Sequence, residues 1–251
     1  MKNFAALACE SRWRGWWIMD VSKGFEIVRI EENRASTVHD QVIVEYDLAV
    51  SLNGEHFVDM LCTPRDLECL VYGHLFAEGV IRRKADVRKL KITEHRADIV
   101  LEPNVQIEGK TELQKKVLLH PQDIFDAVGA FHSQSGLFSD TGGVHNCALH
   151  HSNGDRIFME DLGRHNAGDK ALGNALLEGW DLSQVYMITS GRVPKYMAQK
   201  AINTGVSIII SKSPPTDKAV ELARANNLTL CGFVRGRRMN IYSGLERILR
   251  D

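Results

Sequence analysis

The stretch VYMITSGRVPKYMAQKAINTGVSIIISKSPPTDKAVELARANNLTLCGFVRGR, residues 185–237, decides the fold class of this chain. Short runs rich in Val, Ile and Leu alternate in it with longer segments whose apolar positions recur at helical spacing. Strands that alternate with such helices form βαβ units, whose strands lie parallel in one sheet and are joined by right-handed crossovers. The pattern predicts strands at 185–189, 206–211 and 228–234, and helices at 194–203 and 216–225.

The residues before this stretch extend the predicted sheet. A strand is expected at 144–150, and a turn at 152–155 leads from it into a second strand at 156–159. Helical periodicity predicts one helix at 121–131 and another at 166–177. The C-terminal half is therefore predicted to be an α/β domain with a mixed or parallel sheet.

The first half of the chain is rich in strand signals. Asn53-Gly54 is the strongest short hairpin signal available, because both residues tolerate the left-handed backbone of a tight turn. Thr63 is expected to cap a helix that ends at Gly79. The predicted strands are 24–30, 41–52 and 55–61, with 99–101 and 105–107 as further short apolar segments.

A boundary is predicted where the pattern weakens. The segment 104–116 is polar and weakly patterned, and the basic run 82–91 before it is interpreted as a solvated face. We therefore predict a smaller β-rich N-terminal domain with a helix at 1–110, and the α/β domain at 111–251.

Polar loops follow the carboxyl ends of four predicted strands, which is where ligands bind in an open α/β sheet. Glycine lets a backbone approach a ligand closely, and helix N-termini present free N–H groups to anions. Arginine adds a fixed fork that matches phosphate oxygens. Each loop alone is better explained as a turn with a solvated charge, but four meeting at one edge favour a phosphate or pyrophosphate site. The loops are 160–166, 190–192 (Ser190, Gly191, Arg192), 211–216 and 234–238 (Val234, Arg235, Gly236, Arg237, Arg238).

The loop after the second strand of this half leads into a dense polar group. Asp161 can pair with Arg164, and Asn166 is a possible N-cap of the following helix. Two interpretations stay open with equal weight, namely an ion-pair and capping cluster that fixes the helix start, and a set of ligand contacts. The residues concerned are Asp161, Arg164, His165, Asn166, Asp169 and Lys170.

The cysteines and histidines give weak signals. The five cysteines are scattered, with no Cys-x-x-Cys pair, which argues against a disulfide framework and a zinc module. His145, Cys147, His150, His151 and His165 lack zinc-ligand spacing, so no metal site is predicted. His145 and Cys147 share a strand face, so a neighbouring imidazolium could activate that thiol, but a small buried hydrophobe is the favoured interpretation of Cys147.

Composition and charge exclude several classes of protein. The 251 residues are 44% hydrophobic and 25% charged, as in an ordinary globular protein. The 31 basic and 32 acidic residues give a net charge of −1, which argues against a nucleic-acid footprint. No apolar run is long enough to span a membrane, and the N-terminus is a poor signal peptide. We therefore expect a cytoplasmic protein.

Several long motifs occur in one order along nearly the whole chain. They are Cys62-Thr-Pro-Arg-Asp-Leu-Glu, Phe138-Ser-Asp-Thr-Gly-Gly-Val-His145, Glu160-Asp-Leu-Gly-Arg-His-Asn-Ala-Gly-Asp-Lys170, Ser190-Gly-Arg192, Ser213-Pro-Pro-Thr216 and Gly232-Phe-Val-Arg-Gly-Arg237. In these motifs the chain resembles the formate dehydrogenase accessory sulfurtransferase (FdhD/NarQ) family.

The resemblance implies a cytidine-deaminase-like C-terminal domain and a homodimer. It also implies a sulfur carrier that receives sulfur from a cysteine desulfurase. The sulfur passes to the molybdenum bis(molybdopterin guanine dinucleotide) cofactor, held as cargo, before the cofactor enters formate dehydrogenase. In the family the guanine dinucleotide site includes the stretch that matches Phe233 to Arg238 here.

One departure from the family pattern opens two hypotheses. The family carries sulfur on a Cys-x-x-Cys before the helix at 121–131, whereas residues 94–120 of this chain contain no cysteine. Either another cysteine substitutes, of which Cys147 is the least implausible, or the chain is a cofactor chaperone that carries no sulfur. A nucleotide hydrolase or deaminase is a weaker third hypothesis, since it would need a metal.

Overall fold

The computed structural model describes residues 19–103, 105 and 112–249. Within them, no helix is both long and apolar enough to cross a membrane. The strands are β1 (Ser22–Glu31), β2 (Arg34–Ile43), β3 (Tyr46–Leu52), β4 (Glu55–Cys62), β5 (Val87–Thr93), β6 (Arg96–Leu101), β7 (His145–His151), β8 (Arg156–Asp161), β9 (Val185–Thr189), β10 (Ile208–Ser211), β11 (Thr229–Arg235) and β12 (Arg238–Ser243). The α-helices are α1 (Leu67–Ala77), α2 (Pro121–His132), α3 (Gly136–Thr141), α4 (Arg164–Leu177), α5 (Lys195–Thr204) and α6 (Asp217–Ala225).

The C-terminal half forms a six-stranded mixed sheet in the order β12-β11-β10-β9-β7-β8. Strands β9, β10 and β11 are parallel, as the alternation of strands and helices predicts. β7 runs antiparallel to both β8 and β9, so β8 points the same way as β9. The carboxyl ends of β8, β9, β10 and β11 therefore lie along one edge of the sheet, which we call the rim, and the other edge is called the opposite edge.

Helices cover both faces of this sheet. The alternating side chains of buried strands point to opposite faces, so each face has its own apolar residues. Ala148, Ile188, Ile208 and Cys231 pack with Ile124 and Phe131 of α2 on one face. On the other face, Leu149, Met187 and Ile209 join apolar residues of α4, α5 and α6. The mixed α/β fold class is confirmed.

The first half forms a four-stranded sheet, ordered β4-β3-β6-β5, and a separate β1–β2 hairpin. One hydrophobic cluster runs from this smaller sheet through α1 to α4 and the larger sheet. Helices α1 and α4 touch where two glycines meet, because a Cβ on Gly73 would lie 1.7 Å from the Asp169 carbonyl oxygen and one on Gly173 would lie 1.9 Å from that of Cys69. The domain division at residue 110 stays a prediction.

Several local predictions for the first half hold. The strand expected at 24–30 is β1, and the strand at 55–61 is β4. The Asn53-Gly54 hairpin is confirmed, since Leu52 pairs with Glu55 and both turn residues have positive φ.

Other predictions were wrong or held only in part. The strand expected at 41–52 is divided between β2 and β3. The basic run 82–91 contains the start of β5, but its basic side chains are exposed apart from the half-buried Arg82, as the solvated-face interpretation predicts. Thr63 does not cap α1, whose N-cap is Asp66. The prediction at 105–107 lies mostly outside the described residues.

Candidate functional site at the rim

The predicted convergence of loops at one edge is confirmed, and hydrogen bonds join neighbouring loops. The Ser213 hydroxyl donates to the carbonyl of Ser190 at 3.0 Å, and the Ser211 hydroxyl donates to that of Gly191 at 2.8 Å. The backbone N–H of Phe233 donates to the carbonyl of Ser213 at 3.3 Å. The loops after β9, β10 and β11 are therefore one connected surface.

The turn between β11 and β12 presents three arginines to solvent. The pairing of the two strands is irregular between Gly232 and Arg235, and Gly236 has φ +56°. Phe233 also adopts a left-handed conformation, φ +53°, which is costly for a bulky side chain and is found mainly at turns and functional sites. Arg235, Arg237 and Arg238 are exposed, but Val234 is buried in the core, so its side chain cannot contact a ligand.

The loop after β9 needs a glycine where it passes the start of α4. A Cβ on Gly191 would lie 2.9 Å from Cδ of Arg164 and 3.5 Å from Nδ1 of His145. The Ser190 hydroxyl lies 3.3 Å from the same His145 nitrogen and accepts the backbone N–H of Asn146 at 3.0 Å. Arg192 is exposed. This loop thus brings β7, β9 and α4 together at the rim.

Two predictions about the start of α4 were wrong. The N-cap is Gly163, not Asn166, and the helix begins at Arg164. The Asn166 amide instead donates to the Leu61 carbonyl at 2.7 Å and to Asp161 at 2.9 Å. Asp161 pairs with Lys170 at 2.7 Å rather than with Arg164.

The Asp161–Lys170 pair is completely buried between the two halves of the protein. Thr63 completes it, because its backbone N–H and hydroxyl both donate to Asp161, at 3.0 Å and 3.1 Å. Lys170 in turn donates to the Thr63 hydroxyl at 2.7 Å. A buried ion pair is tolerated when further hydrogen bonds satisfy it, as here. These residues therefore hold α4 against β8 and the loop before α1.

Asp169 forms a second buried ion pair, on the side of α4 that faces α1 and α5. Its carboxylate oxygens lie 2.5 Å and 2.6 Å from Nζ of Lys200, and one of them is 3.1 Å from Nδ1 of His74. Asp161, Asp169 and Lys170 are thus committed to contacts within the protein. Of the dense polar group, Arg164 and His165 remain beside the rim loops.

The described cysteines are all buried: Cys62, Cys69, Cys147 and Cys231. Burial raises the pKa of Cys62 and of Cys231 to about 12. Burial, with the nearby Asp169, raises the pKa of Cys147 well above its usual range. The buried-hydrophobe interpretation of Cys147 is confirmed, since thiolate chemistry needs a lowered pKa and access.

A cavity of about 820 Å³ lies at the opposite edge of the sheet, between α2 and the ends of β7, β8 and β9. His150 lines it, is buried, and has Nδ1 3.0 Å from the hydroxyl of Tyr186. Burial and Arg156 lower the pKa of His150 to about 4, so this imidazole is neutral near pH 7. No group of three or more His, Cys, Asp or Glu residues suited to a metal occurs in the described part of the chain.

Two features of the site were not predicted from the sequence. His145 is not among the predicted binding residues, although the Gly-Gly pair before β7 marks a close approach of backbone at that point. Lys200 lies on the predicted helix at 194–203, but its partner Asp169 is 31 residues away. Only the packing of α4 against α5 brings the two together.

Comparison with known proteins identifies the family. The model of the FdhD/NarQ family matches residues 43–118 and 103–249. Sulfur carrier protein FdhD of Bacillus subtilis is 33% identical over 251 residues, which cover 89% of this chain and 96% of that protein. Sulfur carrier protein FdhD of Staphylococcus aureus is 33% identical over 260 residues, which cover 92% and 97%.

A solved structure supports the same relationship. It is described as a formate dehydrogenase accessory protein of Desulfotalea psychrophila and superposes with a TM-score of 0.81 at 29% identity. The match covers 92% of this chain and 100% of that one. Because the family model and the relatives cover most of the sequence, this chain belongs to the FdhD/NarQ family.

Proposed function

We propose that this protein is a sulfur carrier of the FdhD type that acts in the maturation of formate dehydrogenase. Its cargo is the molybdenum bis(molybdopterin guanine dinucleotide) cofactor, whose diphosphate binds at the rim. The sulfur donor is a cysteine desulfurase, and the acceptor of the finished cofactor is formate dehydrogenase. The protein works in the cytoplasm as a homodimer, and its C-terminal domain is of the cytidine-deaminase-like type.

The observation that carries the binding proposal is the convergence of unpaired arginines at the rim. Arg192, Arg235, Arg237 and Arg238 form no ion pair with any carboxylate of the described residues. Guanidinium groups bind phosphate oxygens in a bidentate manner, and four of them at one edge suit a diphosphate. Gly236, with φ +56°, forms the turn between these arginines and leaves room for a ligand to approach the backbone closely.

Sulfur is received by transfer from a persulfide. A thiolate of this protein attacks the terminal sulfur of the desulfurase persulfide, whose S–S bond breaks, and the desulfurase thiolate leaves with the electron pair. The terminal sulfur is then held as a persulfide on this protein, without net oxidation or reduction. The step needs an accessible thiolate, and the four described cysteines are buried. Cys9 lies outside the described residues.

This burial favours a second candidate function, a chaperone that binds and hands over the cofactor without carrying sulfur. Such a protein would need the rim but no reactive thiol. The two candidates share the cofactor site and differ only in whether sulfur becomes covalently attached. One experiment therefore tests binding and another tests sulfur transfer.

Binding is tested by calorimetric titration with guanosine diphosphate. Replacing both Arg235 and Arg237 by Ala is expected to weaken binding by about 100-fold or more, since each hydrogen bond to a charged group contributes roughly 1.5–3 kcal/mol. The matched control replaces two exposed basic residues of β5, Arg88 and Lys89, by Ala and should bind as the wild type does. Equal binding by the Arg235/Arg237 variant would remove the proposed site.

Sulfur transfer is tested with a cysteine desulfurase and cysteine labelled with radioactive sulfur. A sulfur carrier becomes labelled, and the label is released by a reductant because a persulfide is reducible. Five variants, each with one cysteine replaced by serine, then locate the acceptor thiol. If the wild-type protein takes up no label while it binds guanosine diphosphate, the chaperone function holds and the sulfur-carrier function fails.

A further inference from the structure

Among the described residues, no ion-pair partner accounts for the position of Arg164, the first residue of α4. Its Nε atom is buried and makes no hydrogen bond in the described structure. Nor does any carboxylate of the described residues form an ion pair with Arg164, since Asp161 is taken by Lys170. Buried polar groups in folded proteins are almost always hydrogen-bonded, so an exception points to a missing ligand or ion. For a guanidinium, that missing partner is an anion.

Other donors surround the same point. His145 at the start of β7 and Ser190 after β9 approach each other at 3.3 Å between Nδ1 and Oγ. Gly191 lies against Arg164, and its missing side chain leaves the Arg164 stem and the His145 ring close together. His165 follows Arg164 on the first turn of α4. Three elements of the fold thus direct nitrogen and hydroxyl groups to one place at the rim.

The electrostatics of this cluster favour an anion. Burial and Arg164 lower the pKa of His145. Burial, Lys200, Arg164 and His145 lower the pKa of His165, and Asp169 raises it. Asp169 is within ion-pair distance of Lys200 and lies 3.1 Å from Nδ1 of His74. Arg164 therefore acts on both imidazoles, and at His165 the Asp169 carboxylate opposes only part of the combined effect of burial and the neighbouring cations.

The first turn of α4 adds to this field. Its N-cap is Gly163, which has no side chain to accept the first backbone N–H groups. A 14-residue helix then presents its free backbone N–H groups and the positive end of its dipole to the same point. The helix N-terminus therefore adds to the attraction of an anion by the side chains, which remain the basis of the site.

We propose that His145, Arg164, His165 and Ser190 form a second anion site at the rim, for a single oxyanion of the phosphate type. This site deepens the proposed function. It rests on that function only where the bound oxyanion is a phosphate of the guanine nucleotide. β9 lies two strands from β11, which is roughly 10 Å at the usual strand spacing. A ligand with several phosphates can therefore reach both this site and the Phe233–Arg238 turn, and free inorganic phosphate can occupy this site alone.

The test follows the histidine resonances of the full-length protein by NMR as the pH is varied. Samples contain inorganic phosphate, guanosine diphosphate, or sodium chloride at equal ionic strength, and His145→Gln and His165→Gln variants assign the two signals. A bound oxyanion is expected to raise the pKa of His145 and of His165 by roughly one pH unit, because a nearby opposite charge favours the protonated form. The pKa of His150, at the opposite edge, stays unchanged.

The outcomes separate the sources and the two proposals. A response to inorganic phosphate identifies the free oxyanion as a ligand, and a response to guanosine diphosphate alone identifies a phosphate of the nucleotide. No response to either, beyond that to chloride, overturns the second site. If phosphate raises both pKa values while guanosine diphosphate fails to bind calorimetrically, this site stands and the nucleotide site of the proposed function is removed.

Variants at Arg164 test whether the pKa changes of the two histidines arise from an anion bound beside this residue. Arg164→Gln should abolish the response of both histidines, and Arg164→Lys, which keeps the charge, should retain part of it. Circular dichroism and the melting temperature establish that both variants are folded. An undiminished response in folded Arg164→Gln would contradict the site as proposed.

Discussion

The two edges of the six-stranded sheet differ in how their charges are balanced. At the opposite edge, the cavity of about 820 Å³ carries acids and bases in equal number, Asp123 and Asp126 with Lys116 and Arg156. Its buried His150 is hydrogen-bonded to Tyr186, and Lys116 pairs with Asp181 at 3.3 Å. At the rim, five arginines form no ion pair with a described carboxylate: Arg164, Arg192, Arg235, Arg237 and Arg238.

This difference separates charges that hold the fold from charges that are available to a ligand. The buried Asp161–Lys170 and Asp169–Lys200 pairs are neutral as units and are satisfied by neighbouring groups. The rim arginines form no ion pair within the described part of the chain, although Arg235 Nε donates to the Lys212 carbonyl at 3.4 Å, so their charge is available to an anionic ligand. Our proposal therefore places the anionic ligand at the rim, where the arginines lack counter-charges, rather than in the large cavity.

The largest expected effect comes from breaking a buried pair. Asp161→Ala should lower the free energy of unfolding by about 3–5 kcal/mol, because it leaves Lys170 buried without a counter-charge. Denaturant unfolding measures the change. Arg164→Met is the matched control, which keeps an apolar stem and removes a charge without an internal partner, and should cost far less. An equal loss in both variants would mean that Arg164 is structural.

The next effect concerns the opposite edge and pH. The pKa of His150 is about 4 in the folded protein, below the ordinary value of 6.5. Between these two pH values the unfolded chain is therefore protonated at His150 and the folded protein is not. Stability should therefore fall as the pH drops from 6.5 to about 4 and then level off. His150 accounts for roughly 3 kcal/mol of that fall at 1.36 kcal/mol for each pKa unit.

The check is the pH dependence of unfolding in His150→Gln, which has no titrating ring. The difference in unfolding free energy between wild type and variant should shrink as the pH decreases through this range. A difference that is constant with pH would show that His150 has the same pKa in the folded and unfolded states. Its side chain would then be more accessible to water than the structure indicates.

A third effect concerns binding and compares the edges directly. Arg192→Ala should weaken the binding of guanosine diphosphate by about tenfold, which corresponds to roughly 1.4 kcal/mol and to one hydrogen bond to a charged group. Arg156→Ala, at the opposite edge, should leave the dissociation constant unchanged in the same calorimetric titration. A loss of affinity in Arg156→Ala but not in Arg192→Ala would place the nucleotide at the opposite edge instead of the rim.

The smallest effect is expected at the Lys116–Asp181 pair. Both side chains are about half exposed, and exposed ion pairs contribute about 0–1 kcal/mol. Lys116→Ala should therefore change the free energy of unfolding by less than about 1 kcal/mol and leave nucleotide binding intact. A larger loss in thermal or denaturant unfolding would show that this pair organises the cavity.

The sequence predicted best what depends on local pattern and on general rules of topology. The strands and helices of 185–234 have clear periods, and parallel strands joined by helices necessarily bring the loops at their carboxyl ends to one edge. The rim could therefore be predicted before any side-chain contact was known. The solvated basic face of 82–91 was also predictable, because β5 lies at the edge of its sheet, where Lys and Arg side chains are favoured.

Side-chain partners could not be predicted in the same way. Asp161 is three residues from Arg164, yet it pairs with Lys170, because the helix begins at Arg164 and directs Lys170 back toward β8. Asn is a residue type that often caps helices, but Asn166 lies inside the first turn of α4, where its side-chain amide donates to the Leu61 carbonyl. The positions of Thr63, Leu61 and Lys200 relative to α4 depend on long-range packing, which no local pattern encodes.

Hydrogen–deuterium exchange with and without guanosine diphosphate reports on both edges of the sheet in one experiment. If the nucleotide binds at the rim, we expect slower exchange at 190–192 and 234–238 when it is present, with no change at 116–130 or 150–156. Protection confined to 116–130 and 150–156 would contradict this expectation, since the ligand would then occupy the balanced cavity rather than the arginine-rich rim.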